Sequence, residues 1–363
     1  MAEQKARLNI CNKQFDLMTY GTITVKLLLS WGRLSSCALG IPQPCFLIHH
    51  LMAAFNLSPS DTSTFILTGV PGLEDAHVWI SIPFATCYIF CLLGNVSVLF
   101  VVITEQTLHQ PMYLLLCMLA VTDITISTTV VPKALGIFWF NLKVITVNGC
   151  LTQITFLSTA FAMHSAVLVA MSFDRYVAIC SPLRYVTILT HTRIATIGLV
   201  SLIRGILCVV PLPLMLSQLT FCGKRIIPHT ICEGIVVAKI LCGDLAFFRL
   251  YGLVITLTLV ALDLTLIALS YCLIIRAVLR ISSQKAHQKA LNTCTAHIGV
   301  MLTSYTPFLF SIVTNRFGEI IPPHVQIFLA NIYVLVPTML NPIVYGVKTK
   351  ELRVKMMKNI RVE

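Results

Sequence analysis

The chain has 363 residues, of which 57% are hydrophobic and only 11% charged, and its mean hydropathy is +0.87. A soluble domain carries about 25% charged residues, so a soluble domain is excluded and an integral membrane protein is indicated. The net charge of +12 does not point to nucleic acid, because the basic residues sit mainly between apolar segments and not in one patch beside aromatics.

Met1 to His50 holds scattered charges, and its best apolar run, Leu27 to Trp31, is too short for a signal-peptide core or a membrane helix. Residues 1–51 are expected to form an extension without order. A glycosylation sequon, Asn56-Leu57-Ser58, comes next, with Pro59 directly after it lowering the expected occupancy. Apolar segments then recur at roughly 79–104, 112–138, 150–174, 193–216, 247–276, 293–315 and 325–346. Each has ~20 or more residues, enough to cross ~30 Å of hydrocarbon. The pattern predicts an all-α bundle of seven transmembrane helices over 52–346, with no inverted repeat. After Gly346, Val347, Leu352, Val354, Met356 and Met357 alternate with basic residues. That pattern fits a helix on the anionic inner leaflet or, nearly as well, a loose basic tail.

Orientation is set by the short loops. Segments 175–194, 276–289 and 347–363 hold most of the Lys and Arg, whereas the opposite side holds few, among them Lys143, Lys224, Arg225 and Lys239. Positive charge marks the cytoplasmic side, so the C-terminus is inside and, after seven crossings, the N-terminus outside. Asn56 then faces outside, while a second sequon at Asn95 lies mid-membrane and should stay bare.

Several polar residues fall within the apolar segments. Asp123 in the second is costly there and functional by default; its available partners are Asn95, His164 and Asn341. A protonated, purely structural Asp123 is the weaker alternative. Arg204 lies in the fourth segment with no partner that the sequence identifies. Asp174 and Arg175 are adjacent at the inner end of the third, before Pro182 stops the helix. The bland reading is an exposed helix-end pair worth ~0–1 kcal/mol; the sharper one is a switch in which Arg175 changes partner. Pro342, in Asn341-Pro-Ile-Val-Tyr345, is expected to break the seventh helix and let Tyr345 swing inward, to meet Tyr271 and Arg175 in the active state. Taken singly, each tyrosine is more often an interfacial anchor.

Of the 14 cysteines, those within the spans read as small packing residues. Cys150, Cys222, Cys232 and Cys242 face outside, where disulfides are permitted, and four cysteines allow three connectivities. No spacing resembles a metal site.

The string Met171-Ser-Phe-Asp-Arg-Tyr-Val-Ala-Ile-Cys180 resembles the inner end of the third helix in rhodopsin-like G-protein-coupled receptors. With Leu108-His-Gln-Pro-Met-Tyr113, Ser270-Tyr271, Lys289 to His297 and Pro337 to Gly346, the chain is similar to olfactory receptors from about Phe55 to Ile360. Phe65 to Leu73 and Ala261-Leu-Asp263 resemble the class I, fish-like branch. That family normally begins near Met52, so an upstream start is the plain explanation for residues 1–51. The resemblance implies Cys150–Cys232 and Cys222–Cys242 disulfides, and a coupling set of Asp174, Arg175, Tyr176, Tyr271, Asn341, Pro342 and Tyr345. Asn95, Asp123 and His164 resemble a sodium–water site, but His164 stands where these receptors commonly have glutamate, which puts sodium in doubt. The implied function is odorant binding at the plasma membrane, coupled to the olfactory stimulatory G protein and cAMP, without a cofactor. Arg316 at the outer end of the sixth segment is the candidate carboxylate anchor. The plain alternative is an arginine reaching for lipid headgroups. Ser158, Ile312, Ile235 and Gly234 are expected to line the same pocket. A transporter for a small organic anion is the rival from another class. It lacks inverted repeats and paired interrupted helices. An enzyme is disfavoured by the lack of a nucleophile–base set.

Overall fold

The computed structural model describes residues 64–221, 225–243, 245–279, 284–317 and 322–360. The chain divides into two compact units, 1–64 and 65–363. The first lies almost wholly outside the described residues, as does Asn56. The second is the helical unit.

Among the described residues, seven long helices carry the fold: α1 (His77–Thr104), α2 (Pro111–Phe140), α3 (Val147–Cys180), α4 (His191–Val209), α5 (Ala246–Val278), α6 (Gln284–Phe317) and α7 (Pro323–Lys348). A short helix, Pro211–Ser217, prolongs α4, and α8 (Lys350–Ile360) comes after α7. In hydrocarbon every backbone N–H and C=O must be satisfied within the segment, and the helix does that. Among the described residues, six helices are long and apolar enough to span. With 34 residues, α6 is about 51 Å long at ~1.5 Å per residue, so its polar start at Gln284 and Lys285 runs beyond the bilayer.

Local signals set the helix ends. Pro111 begins α2, where its missing N–H costs nothing. Asn141 closes α2 in the left-handed conformation and donates its N–H to Gly136 O. Thr146 Oγ1 caps α3 by accepting from Gly149 N at 3.0 Å. Short strands sit outside the bundle. β1 (Thr64–Leu67) lies between β2 (Val144–Thr146) and β4 (Ile226–Ile227), with Ile66 opposite Ile226 and Leu67 opposite Ile227 in parallel. β3 (Thr220–Phe221) pairs antiparallel with β5 (Leu241–Cys242).

The bundle is inverted relative to a soluble protein. Ile89, Phe90, Leu93, Val96 and Phe100 of α1 are exposed, whereas Asn95, Asp123, His164, Arg204, Asp263 and Asn341 are buried. Lipid takes the apolar side chains, and the charged groups find one another inside. Helix α3 is central, packing on α2, α4, α5 and α6.

The expected break at Pro342 does not occur. Helix α7 continues through Pro337 and Pro342. Without an N–H, Pro342 leaves the Thr338 carbonyl, one turn earlier, without its helical donor. Asn95 Nδ2 of α1 supplies one at 3.1 Å. The helix therefore stays whole because a neighbour satisfies the freed carbonyl. Gly94 makes the approach possible: a Cβ there would lie 2.8 Å from Pro342 Cγ. The proline ring cannot rotate away, so Gly94→Ala is expected to cost about 1–3 kcal/mol, as overpacking does. A lowered Tm of the purified protein checks this; an unchanged Tm means α1 and α7 separate freely.

The tail segment is helical. Leu352 of α8 is buried, Tyr113 donates its phenol proton to Glu351 Oε2 at 2.8 Å, and Lys355 pairs with Glu105 at 2.6 Å.

Candidate functional site

Polar groups converge at three depths. Near the outside lies a cavity of about 660 Å³ between α3, α5, α6 and α7. The loop before α5 roofs it, tethered by the Cys150–Cys232 disulfide with Cα atoms 5.5 Å apart. Gln153 of α3 ties the same loop to α2. Its Oε1 accepts from Cys232 N at 2.9 Å, and its Nε2 donates to Thr129 O at 2.8 Å. Asn331 of α7 bonds Thr230 Oγ1, and Tyr333 donates to Glu233 Oε1 at 2.9 Å. Burial pushes the His229 imidazole below its ordinary value. It therefore stays neutral, and its Nδ1 accepts from Ile231 N at 3.2 Å.

Ser158, Gly234 and Ile235 all line this cavity. The Arg316 and Ile312 side chains lie outside the described ones. Cys222 does too; its expected partner Cys242 is disulfide-bonded. Lys239, Arg249 and Glu233 also border the cavity. Sequence reasoning misses Glu233, although its place next to Cys232 puts it on the roof.

At the inner wall of the cavity Arg204 finds the partner that the sequence left unnamed. Its NH1 and NH2 donate to Asp263 Oδ1 and Oδ2 at 2.8 and 2.6 Å, a planar fork on a carboxylate. Both side chains are buried, at 6% and 0% exposure. The available signal was bookkeeping: two opposite charges inside one bundle, each without a neighbour, must seek each other.

At mid-depth Asp123 is fully buried. His164 Nδ1 lies 3.3 Å from its Oδ1, and Asn341 Nδ2 donates to both its oxygens, at 3.2 and 2.9 Å. His164 also reaches Thr122 and Ser304. Asn95 does not join this set. Its amide donates to Cys91 O and Thr338 O, because the carbonyl that Pro342 strands claims it. His164 and Asp123 are expected to be coupled by more than the ~0.5 kcal/mol scatter of independent sites. A double-mutant cycle in thermal stability measures this, and an additive cycle shows that they do not interact.

Near the inner face Asp174 and Arg175 form a pair at 3.1 Å. The exposed helix-end reading is wrong: the side chains are 1% and 13% exposed, because the turn after Cys180 folds back over them. Tyr185, in the helical turn Tyr185–Ile188, donates to Asp174 Oδ1 at 2.6 Å. Burial and the adjacent Asp174 charge hold its phenol well above the ordinary value, so it remains a donor. Tyr176 is buried, its ring 6.2 Å from that of Phe173. Tyr271 and Tyr345, expected to meet Arg175 in the active state, have other neighbours in this conformation. Tyr271 Oη is 2.7 Å from His297 Nδ1, and Tyr345 Oη faces Met171 Sδ at 4.0 Å.

Known proteins resemble this arrangement over most of its length. Residues 84–362 match the olfactory receptor family. The chain is 48% identical to human olfactory receptor 52P1 over 307 residues, covering 85% of this chain and 96% of that receptor. It is 47% identical to human olfactory receptor 52D1 over 309 residues, or 85% and 97%. Against human olfactory receptor 52K1 it is 45% identical over 302 residues, or 83% and 96%. The similarity runs along nearly the whole of these receptors, whose family is not one of enzymes. The chain belongs to the olfactory receptor family, in the class I branch of the rhodopsin-like receptors of the plasma membrane.

Proposed function

We propose that this receptor detects small carboxylic-acid odorants and activates the olfactory stimulatory G protein, raising cAMP. The observation that carries the ligand half is the cavity. Its size, about 660 Å³, falls within the range of small-molecule sites. Its wall combines apolar groups with a few polar ones, as such sites do. Arg316 is the proposed anchor, because a guanidinium donates two parallel hydrogen bonds to a carboxylate. Ile312, Ile235 and Gly234 would hold the tail, with Ser158 beside it. Such an apolar lining favours a medium-chain acid.

For the signalling half, ligand binding favours a state in which Asp174 releases Arg175 and the bundle opens between α3 and α6. Tyr176, Tyr271, Asn341, Pro342 and Tyr345 complete the proposed switch. An odorant shifts that equilibrium only by its differential affinity for the two states. Cys222–Cys242 is the proposed second disulfide, and Asn56 the proposed glycosylation site.

The test is a cAMP dose–response to a panel of acids, with matching alcohols as controls, at equal surface expression. Arg316→Ala is expected to cost about 2–5 kcal/mol in potency towards acids, as for other buried charge pairs, and to leave the alcohols unmoved. Arg316→Lys should recover part, keeping the charge and losing the fork. Equal potency of wild type and Arg316→Ala towards every active acid removes Arg316 and makes Lys239 and Arg249 the next residues to vary.

A further inference from the structure

The inner wall of the odorant cavity is a chain of hydrogen bonds with a fixed direction. Arg204, Asp263, Ser165 and Tyr305 all border the cavity. Asp263 Oδ2 accepts from Ser165 Oγ at 2.6 Å, besides taking both terminal nitrogens of Arg204. Ser165 Oγ also lies 2.6 Å from Tyr305 Oη. A hydroxyl has one proton. Ser165 has committed its proton to Asp263, a carboxylate that can only accept while paired with a guanidinium. In its contact with Tyr305 it must therefore be the acceptor, so Tyr305 donates. Both hydroxyl protons then point inward, along Tyr305, Ser165 and Asp263. The capacity left on the two oxygens is lone pairs. Arg204 adds little from the cavity side: it is 5% exposed, and its Nε is buried without a hydrogen-bond partner among the described residues.

We infer that this wall is a hydrogen-bond acceptor that selects odorants carrying an O–H or N–H donor at the end that enters deepest. It rests on the reading of the cavity as the odorant site, and adds a second chemical requirement to it. A ligand hydroxyl can donate to Ser165 or Tyr305. An ether or carbonyl oxygen of the same shape sets lone pair against lone pair and loses its water without replacement. Sites built around one hydrogen-bonding polarity reject isosteres of the wrong polarity for this reason. Together with a carboxylate anchor near the mouth, the preferred ligand is an acid with a hydroxyl at its far end.

Binding to the purified receptor in nanodiscs, read by ligand-dependent thermal shift, tests this apart from signalling. The probes are unbranched alcohols paired with ethers and ketones of equal heavy-atom number, and ω-hydroxy acids paired with ω-methoxy acids. The alcohols should bind about tenfold more tightly than their ethers and ketones, the worth of one neutral hydrogen bond. Ser165→Ala is the sharper test. It frees the Tyr305 proton to point into the cavity, so the alcohol-to-ketone ratio should fall to one or reverse. Tyr305→Phe should lower the alcohol-to-ether ratio by removing one acceptor. Ratios within one variant are insensitive to any general loosening of the fold. Equal wild-type affinity for alcohols and ethers, or a Ser165→Ala ratio like that of wild type, overturns the proposal. The neutral pairs carry no carboxylate. If acids fail to bind while the alcohol preference holds, the acid reading falls and the wall stands. If acids bind and no alcohol or hydroxy acid gains over its partner, the wall falls and the acid reading stands.

Discussion

Asp263→Ala is expected to remove most of the receptor from the cell surface and to lower its thermal stability by about 3–5 kcal/mol, the cost of stranding one member of a buried ion pair. The Arg204 guanidinium holds Asp263 with two hydrogen bonds of 2.8 and 2.6 Å, and both side chains are buried. Removing the carboxylate leaves a buried cation unpaired. It also leaves Ser165 without the acceptor for its proton. A loss of this size is a large share of the stability of an ordinary domain, about 5–15 kcal/mol. Arg204→Ala should behave similarly, since an unpaired buried carboxylate is no cheaper. The double variant Arg204→Met with Asp263→Leu should recover much of the loss, because well-packed apolar groups replace buried ion pairs at little cost. Thermal unfolding of the detergent-solubilised protein and antibody staining of intact cells measure the two effects. A single variant with wild-type Tm would mean that Arg204 finds another acceptor.

Arg175→Ala is expected to abolish cAMP signalling and to leave odorant affinity largely intact. Arg175 is tied to buried Asp174 at 3.1 Å, while Tyr185 holds the other carboxylate oxygen. It is at the same time a cationic neighbour of Tyr271, His297 and Tyr345. An arginine with one partner in hand and two phenols and an imidazole within its field is poised to change partners. The cavity lies towards the other end of α3, so binding should survive. Direct binding to purified receptor, beside cAMP in cells at matched surface level, separates the two readouts. Normal signalling by Arg175→Ala would reduce the residue to a helix-end charge.

The seven-helix architecture was legible in the sequence because the solvent is hydrocarbon. A span must be apolar over a fixed length, and basic residues stay on the cytoplasmic side; both are properties of the chain in order, with no partner needed. The loop cysteines were legible as a group for the same reason, but the connectivity was not, since three pairings satisfy the same spacing. The site depended on which face each helix turns to its neighbours. Asp123 had three polar candidates within reach by depth, and rotation of α1 and α7 decided among them: Asn341 faces it, whereas Asn95 is drawn to the carbonyl that Pro342 strands. Pro342 itself reads as a break in any argument from α7 alone, and a donor from another helix keeps α7 whole. Arg204, left without a partner, and Asp263, noted only as part of a family motif, lie 59 residues apart. Depth places both within spans, but azimuth makes them a pair, and azimuth comes from packing that residue order does not encode locally. By itself the sequence determined where the chain crosses the membrane and which polar residues are trapped there; the tertiary structure decided which of them meet.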